Sequence, residues 1–154
     1  MSNTIDKFTG QYSFLSNFHP TSNLNYGIDD EGRFEYPTVE HKFQAMKCLD
    51  GDTMRRQIAS AKTPGQAKRL GRRANLRPGW NDMRIDVMVD IIKEKFAPHT
   101  RLAQQLIDTA PNVLIEGNTW NDRFWGVCRG KGRNELGKAL MAWRGRLITN
   151  DYDS

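Results

Sequence analysis

The chain has 154 residues and a mass of 17.7 kDa, the usual size of one domain and too short for two comfortable ones. With 38% hydrophobic and 27% charged residues it is not a disordered chain, and two cysteines, Cys48 and Cys128, are too few for a disulfide framework or a closed zinc site. Lys and Arg number 23 against 18 Asp and Glu, a net charge of +5 that favours an anionic ligand such as a phosphate, a nucleotide or nucleic acid without choosing among them.

No apolar run approaches the roughly 20 residues that span a bilayer, and MSNTIDKFTG lacks the basic-then-apolar order of a signal peptide. The expectation is a cytoplasmic protein with no membrane contact.

In chain order, residues 8–18 carry aromatics without helical spacing and read as short strands and turns. LNYGIDDEGRFEY (24–36) reads as two short strands around a turn. The period then becomes helical. Thr38 can cap a helix over about 38–48 in which Val39, Phe43 and Met46 share one apolar face. Asp52 or Thr53 can cap a second helix carrying Met54, Ile58 and Ala61, and Thr63-Pro64 starts a third that ends near Gly71. The longest helix is expected over 81–96, capped by Asn81 or Asp82, with Ile85, Met88, Val89, Ile92 and Phe96 as its stripe and Pro98 as its stop.

A further helix over about 100–109 carries Leu102 and Leu106, and NVLIE (112–116) reads as a strand. The last helix starts near Asn134, a good cap, and places Leu136, Leu140, Trp143 and Leu147 on a core side; the tail TNDYDS (149–154) reads as polar and frayed. The fold class expected is α+β: one compact domain over 1–154, core about 8–148, mostly helical with a small N-terminal β element.

Three stretches can carry chemistry. At about 100° per residue, Glu40, Gln44 and Lys47 fall on one stripe beside the apolar face of the first helix. At such a core boundary, partial desolvation and a nearby partner shift proton affinities, so a carboxylate can act as acid or base and a lysine can become a nucleophile. A solvated ion pair fits the same spacing.

GNTWNDRFWGVCRGKGRNELG (117–137) combines aromatics, Asp122 and glycines ahead of a helix start. It suits a planar base and an anion at backbone N–H groups near Asn134, or an Ω-loop that covers the core. AKRLGRRANLRPGW (67–80) gathers five basic residues near a tryptophan and suits phosphate or nucleic acid, or a solvated basic face. His19, His41 and His99 lack metal-ligand spacing, so no metal and no cofactor are expected.

Five ordered motifs, SNF (16–18), YPTVEHKFQAMK (36–47), GRR with LRPGW (71–80), NDRFWG (121–126) and GKGRNELGKALMAWR (130–144), together resemble those of the NADAR, or YbiA-like, N-glycosidase family. The resemblance spans residues 8–146. It implies that family's compact, mostly helical α+β fold and hydrolysis of N-glycosidic bonds. Substrates in the family are ribosylamino-pyrimidine phosphates of riboflavin synthesis, or ADP-ribose on a guanine base.

By motif, the resemblance implies catalytic roles for Glu40, Lys47 and Asp122, with Lys47 forming an imine with the ribose and Lys131 as a second candidate. It also implies substrate-binding roles for Asn17, Phe18, Gln44, Arg72, Trp80, Trp125, Gly126, Gly130, Lys131, Gly132 and Asn134. The partner implied is a small phosphorylated ribosylamine or ADP-ribose-type substrate, including ADP-ribosylated nucleic acid. The chain departs from some relatives at Val127-Cys128-Arg129, where a glycine- or histidine-rich stretch stands in others. A rival of another class is a non-catalytic nucleic-acid-binding module that reads through residues 63–80.

Overall fold

The computed structural model describes residues 3–22, 24, 27–29, 32–49 and 52–152, with the main chain alone at 27–29 and 32–34. In chain order the elements are strand β1 (Thr4–Ile5), a 3-10 turn (Gly10–Leu15), strands β2 (Gly27–Asp29) and β3 (Gly32–Phe34), and helices α1 (Val39–Met46), α2 (Met54–Ala59), α3 (Pro64–Gly71), α4 (Trp80–Lys95) and α5 (Arg101–Ile107). Strands β4 (Val113–Leu114), β5 (Gly117–Asn118) and β6 (Val127–Cys128) and helix α6 (Glu135–Thr149) complete the chain. The α+β class is as expected. Contacts gather into two compact units, Asn17–Lys95 and Met1–Ser16 with Phe96–Ser154. Among the described residues no helix is long and apolar enough to cross a membrane.

In the continuous unit, α1 is the central helix and packs on α2, α3 and α4. Its residues from Val39 to Ala45 are all buried, including Glu40, His41, Lys42 and Gln44. Burying four polar side chains on one short helix is tolerable only if each finds a partner. Lys42 Nζ meets both carboxylate oxygens of Glu94 at 2.6 and 2.8 Å, joining α1 to α4. His41 lies 2.7 Å from Thr38 Oγ1 through Nδ1, and 3.0 Å from the Ala61 carbonyl through Nε2, which ties α1 to the chain ahead of α3. β2 and β3 form the expected antiparallel hairpin, Gly27 opposite Phe34 and Asp29 opposite Gly32; its turn residues 30–31 lie outside the described residues.

In the other unit, β1 pairs in parallel with β4, and α6 packs on α5 and β4. Leu136, Leu140, Trp143 and Leu147 are buried, so the i, i+4, i+7, i+11 pattern points where the spacing placed it. Trp143 Nε1 donates to the Phe96 carbonyl at 2.8 Å, and Arg144 donates to Thr109 Oγ1 at 3.0 Å and the Asn112 carbonyl at 2.8 Å.

Four local expectations need correction. The aromatic run at 8–18 winds as a 3-10 turn, held by Tyr12 N–H on the Thr9 carbonyl and Ser16 N–H on the Ser13 carbonyl, which buries Phe14 and Leu15. Helix α4 begins at Trp80, ahead of the Asn81 or Asp82 expected as caps. Gly79, at φ 76, turns the chain so that Trp80 N–H already bonds Arg77 and Asp82 N–H bonds Gly79. The NVLIE strand shrinks to Val113–Leu114. The tail is not frayed through Tyr152: α6 runs to Thr149, Asn150 ends it in the left-handed conformation, and the Tyr152 ring lies 6.2 Å from Trp143 and 6.1 Å from His99.

Candidate active site

The first turn of α1 is built by two cooperating segments. Thr38, extended at φ −143 and ψ 166, accepts from His41 N–H at 3.1 Å, as a threonine N-cap does. The Asn17 carbonyl, from SNF, accepts from Glu40 N–H at 3.1 Å, so a second orphan donor of the helix end is satisfied from outside the helix. Two motifs far apart in sequence thereby meet at Glu40. The Glu40 carboxylate also lies in the first turn, where the helix dipole favours negative charge.

Glu40 is 8% exposed and Gln44 6%, so the stripe is buried at these two positions. Gln44 Nε2 donates to Glu40 Oε1 at 2.8 Å, the i, i+4 contact that the stripe anticipates. One turn further, Lys47 is half-buried. Burial pushes its ammonium below the ordinary lysine range. Glu40 and Cys48 oppose that shift, and Arg72 and Lys68 add to it. A partly desolvated amine with cations in its field is what an amine nucleophile needs near neutral pH, and Glu40 works against it by favouring the ammonium.

The far end of α1 is fixed by the RRANLRPGW segment. Arg77 N–H bonds the Lys47 carbonyl at 3.0 Å, its Nη1 bonds the Met46 carbonyl at 3.3 Å, and Leu49 N–H bonds Asn75 O at 2.7 Å. Arg55 Nη2 adds a bond to the Cys48 carbonyl at 2.9 Å. Arg77 is thus spent on the C-terminal carbonyls of α1, and the basic run divides by role: Arg69, Arg72 and Arg73 are exposed, while Arg77 holds the helix.

Gly71 makes room at this end. A Cβ there would overlap Gln44 Oε1 and come within 3.0 Å of Lys47 Cε. A glycine in place of alanine costs a helix about 0.5–1 kcal/mol, so its presence here has a packing reason. Sequence reading missed this contact; the signal available was a glycine inside a helical pattern.

The remaining predicted residues of this unit are placed as follows. Trp80 opens α4, is 7% exposed, and its ring centroid lies 5.3 Å from Phe43, so its indole is largely part of the packing around α1. Phe18 is 46% exposed beside the buried Asn17. The Asn17 and Gln44 side-chain oxygens are buried without a hydrogen-bond partner, two acceptors in the residues that touch Glu40.

In the other unit, Asp122 Oδ1 accepts from Phe124 N–H at 3.1 Å and Trp125 N–H at 2.9 Å, and Asp122 N–H donates to Asn118 Oδ1 at 3.0 Å. This is an Asx-turn that aims the aromatic pair, whose rings meet edge-on at 4.8 Å. Arg133 stacks over Phe124 at 4.6 Å. Cys128 and Lys131 exchange backbone bonds across Arg129 (φ 53) and Gly130 (φ 77), the two positive φ values that a tight primed turn demands. Gly126 is buried where a Cβ would strike the Glu116 carbonyl; Gly132 is exposed, though a Cβ on it would strike the Gly126 carbonyl, and Lys131 is exposed.

The N-terminus of α6 is not open to an anion through its main chain. Arg133, Asn134, Glu135 and Leu136 N–H donate in turn to the carbonyls of Arg123, Gly126, Phe124 and Trp125. Nor does Asn134 cap with its side chain. It sits left-handed at φ 55, and its amide bonds the Leu114 carbonyl at 2.9 Å and Glu116 N–H at 3.0 Å, which latches α6 to the β4–β5 edge. Among the described residues no group of three or more His, Cys, Asp or Glu is placed to hold a metal ion.

The structure therefore brings Glu40, Gln44, Lys47 and Arg72 into one cluster, and Asp122, Trp125 and the 126–134 loop into another. Comparison with known proteins gives the same family that the motifs suggested. The NADAR domain model matches residues 6–148. The N-glycosidase YbiA of Escherichia coli (strain K12) is 38% identical over 96% of this chain and 91% of its own length. The riboflavin biosynthesis protein PYRR, chloroplastic, of Zea mays is 36% identical over 89% of this chain, which spans 24% of that protein. The NMR structure of the E. coli protein YbiA is similar at a TM-score of 0.76 and 34% identity, covering 100% of this chain and 90% of that one.

Proposed function

The chain belongs to the NADAR domain family, and from that premise we propose that it is an N-glycosidase that releases a phosphorylated ribose from a ribosylamino-pyrimidine through Glu40 and Lys47. The observation that carries the assignment of residues is the buried Glu40–Gln44 bond beside a Lys47 whose ammonium is destabilised by burial.

In this reading the Lys47 amine, in its neutral form, forms a bond to the anomeric carbon as the bond from that carbon to the base nitrogen breaks. The electron pair leaves with the base, and the Glu40 carboxyl supplies the proton that the base nitrogen takes up. The bond from that carbon to the ring oxygen then breaks as a proton passes from the attached nitrogen to this oxygen, which leaves the opened sugar as a protonated imine on Lys47. Glu40, now ionised, takes a proton from the water that adds to this carbon, and Lys47 leaves as the amine. The sum is one water consumed, one sugar and one base released. Arg72 supplies positive charge for phosphate, and Lys131 is a candidate for phosphate from the family motif alone. Asp122 is included from the family motif, for orienting ribose hydroxyls, and Trp80 and Trp125 from the same source, for the planar base.

Sugar release measured side by side on a ribosylamino-pyrimidine phosphate and on ADP-ribosylated DNA tests the reading. Faster release from the small phosphate supports it. Release from the DNA alone moves the activity to an ADP-ribosyl glycohydrolase. A salt-dependent shift of plain DNA with no sugar released from either would instead support a binding module.

A further inference from the structure

Gly71 occupies the last turn of α3, and its missing side chain is matched to two members of the candidate cluster. A Cβ on its backbone would overlap Gln44 Oε1, lie 2.8 Å from Gln44 Cδ and 3.0 Å from Lys47 Cε. Where a Cβ at Gly117, Gly126, Gly132 or Gly137 would strike a main-chain carbonyl oxygen, at Gly71 it would meet side-chain atoms alone. The fold has room to yield at Gly71, because those atoms are the ends of flexible side chains. The candidate cluster does not.

The Gln44 amide explains why. Its nitrogen donates to Glu40, and its oxygen is buried without a hydrogen-bond partner. Glycine leaves to that oxygen the space that a Cβ would overlap. Any larger residue would turn the amide, and with it the donor that Glu40 receives, while pushing the Lys47 shaft aside.

We propose that Gly71 is a positioning residue: the bare α3 backbone holds the Gln44 amide donor on Glu40 and sets the course of Lys47. The proposal rests on the assignment of Glu40 and Lys47 as the catalytic pair. Arg72 follows Gly71 directly and Lys68 lies one turn earlier, so the α3 end that fixes the geometry also carries the cations that act on Lys47.

The test is a double-mutant cycle of Gly71→Ala, Gln44→Ala and the pair. Gly71→Ala is expected to lower kcat/KM by roughly 10-fold or more, as misplacement of about 1 Å does. It is also expected to move upward the limb of the pH–rate profile that reports Glu40, because a lost donor disfavours the carboxylate. Added to Gln44→Ala, the same change is expected to cost several-fold less, because only its contact with the Lys47 shaft remains. An equal loss in both backgrounds overturns the proposal. If Gly71→Ala alone does not fold but the double variant does, the clash runs through Gln44 and the proposal stands; if neither folds, it falls.

A second readout needs no activity. The Gln44 side-chain amide resonances should follow the ionisation of Glu40 in the parent and lose that titration in Gly71→Ala. An unchanged titration in Gly71→Ala sinks the positioning role. Its loss, in a protein that releases no sugar, keeps the positioning role and removes the N-glycosidase reading instead.

Discussion

Gln44 donates to Glu40 across one helical turn at 2.8 Å, and both side chains are more than nine-tenths buried. An isosteric amide at position 40 can still accept that bond but can neither give nor take a proton. Glu40→Gln is therefore expected to keep its melting temperature within a few degrees while turnover falls by about 10²-fold or more. Near-normal turnover in that variant removes Glu40 from the acid–base role.

For Lys47 the expected signature is covalent. Borohydride added during turnover should leave a sugar adduct on Lys47, absent in Lys47→Ala. Because burial lowers its proton affinity, the neutral amine grows as pH rises and turnover should rise on an alkaline limb centred below the ordinary 10.5. Loss of activity in Lys47→Ala with no trappable adduct in the parent points to direct attack by water, and an adduct on Lys131 moves the nucleophile there.

Lys42 and Glu94 form a two-pronged bond between α1 and α4, with side chains 11% and 23% exposed. Removing the cation leaves a partly buried carboxylate without this partner. The residual exposure of Glu94 reduces the penalty to about 1–3 kcal/mol. For Lys42→Met that corresponds to a melting temperature lower by roughly 3–10 °C. An unchanged melting temperature would show that water replaces the pair at no cost.

His41 predicts how the fold responds to acid. Burial lowers its folded-state pKa, partly opposed by its bond to the Ala61 carbonyl. Well above the ordinary value of 6.5 the ring is uncharged in both states and contributes no slope. As pH falls through the ordinary value of 6.5, the unfolded chain takes up the proton first and stability is lost, down to the depressed folded value. His19, lowered first by burial and then by Lys95, adds in the same direction. Between pH 7.5 and 5.5 the parent should lose melting temperature, and His41→Gln should lose less. Equal losses would show that His41 does not titrate on unfolding in that window.

These relationships were legible in the sequence to different depths. Thr38 and Thr63 cap as expected, since capping depends on three neighbouring residues, and their side chains accept from His41 and Gln66; Thr100, at the expected start of its helix, caps in the same way on Ala103. The Glu40, Gln44, Lys47 stripe followed from helical periodicity alone. What surrounds it did not: Gly71, Lys68 and Arg77 reach α1 through the packing of α3 and the 75–77 segment, which no local period encodes. Asn134 shows the same limit. Its residue type suits a cap, but its amide is drawn to the Leu114 carbonyl, a partner 20 residues earlier. The parallel pairing of β1 with β4 leaves no local trace either.

That pairing sets an order of events during synthesis. Thr4 and Ile5 find their partners at Val113 and Leu114, whereas the unit Asn17–Lys95 draws its internal contacts from one unbroken stretch. At about 5–20 residues per second, the first strand emerges roughly 5–20 s before the segment it pairs with. In that interval the helix bearing Glu40 and Lys47 can already have closed its own contacts, while the N-terminal strand still presents an unpaired edge. The surroundings of the candidate catalytic helix can thus close before β1 has its partner strand.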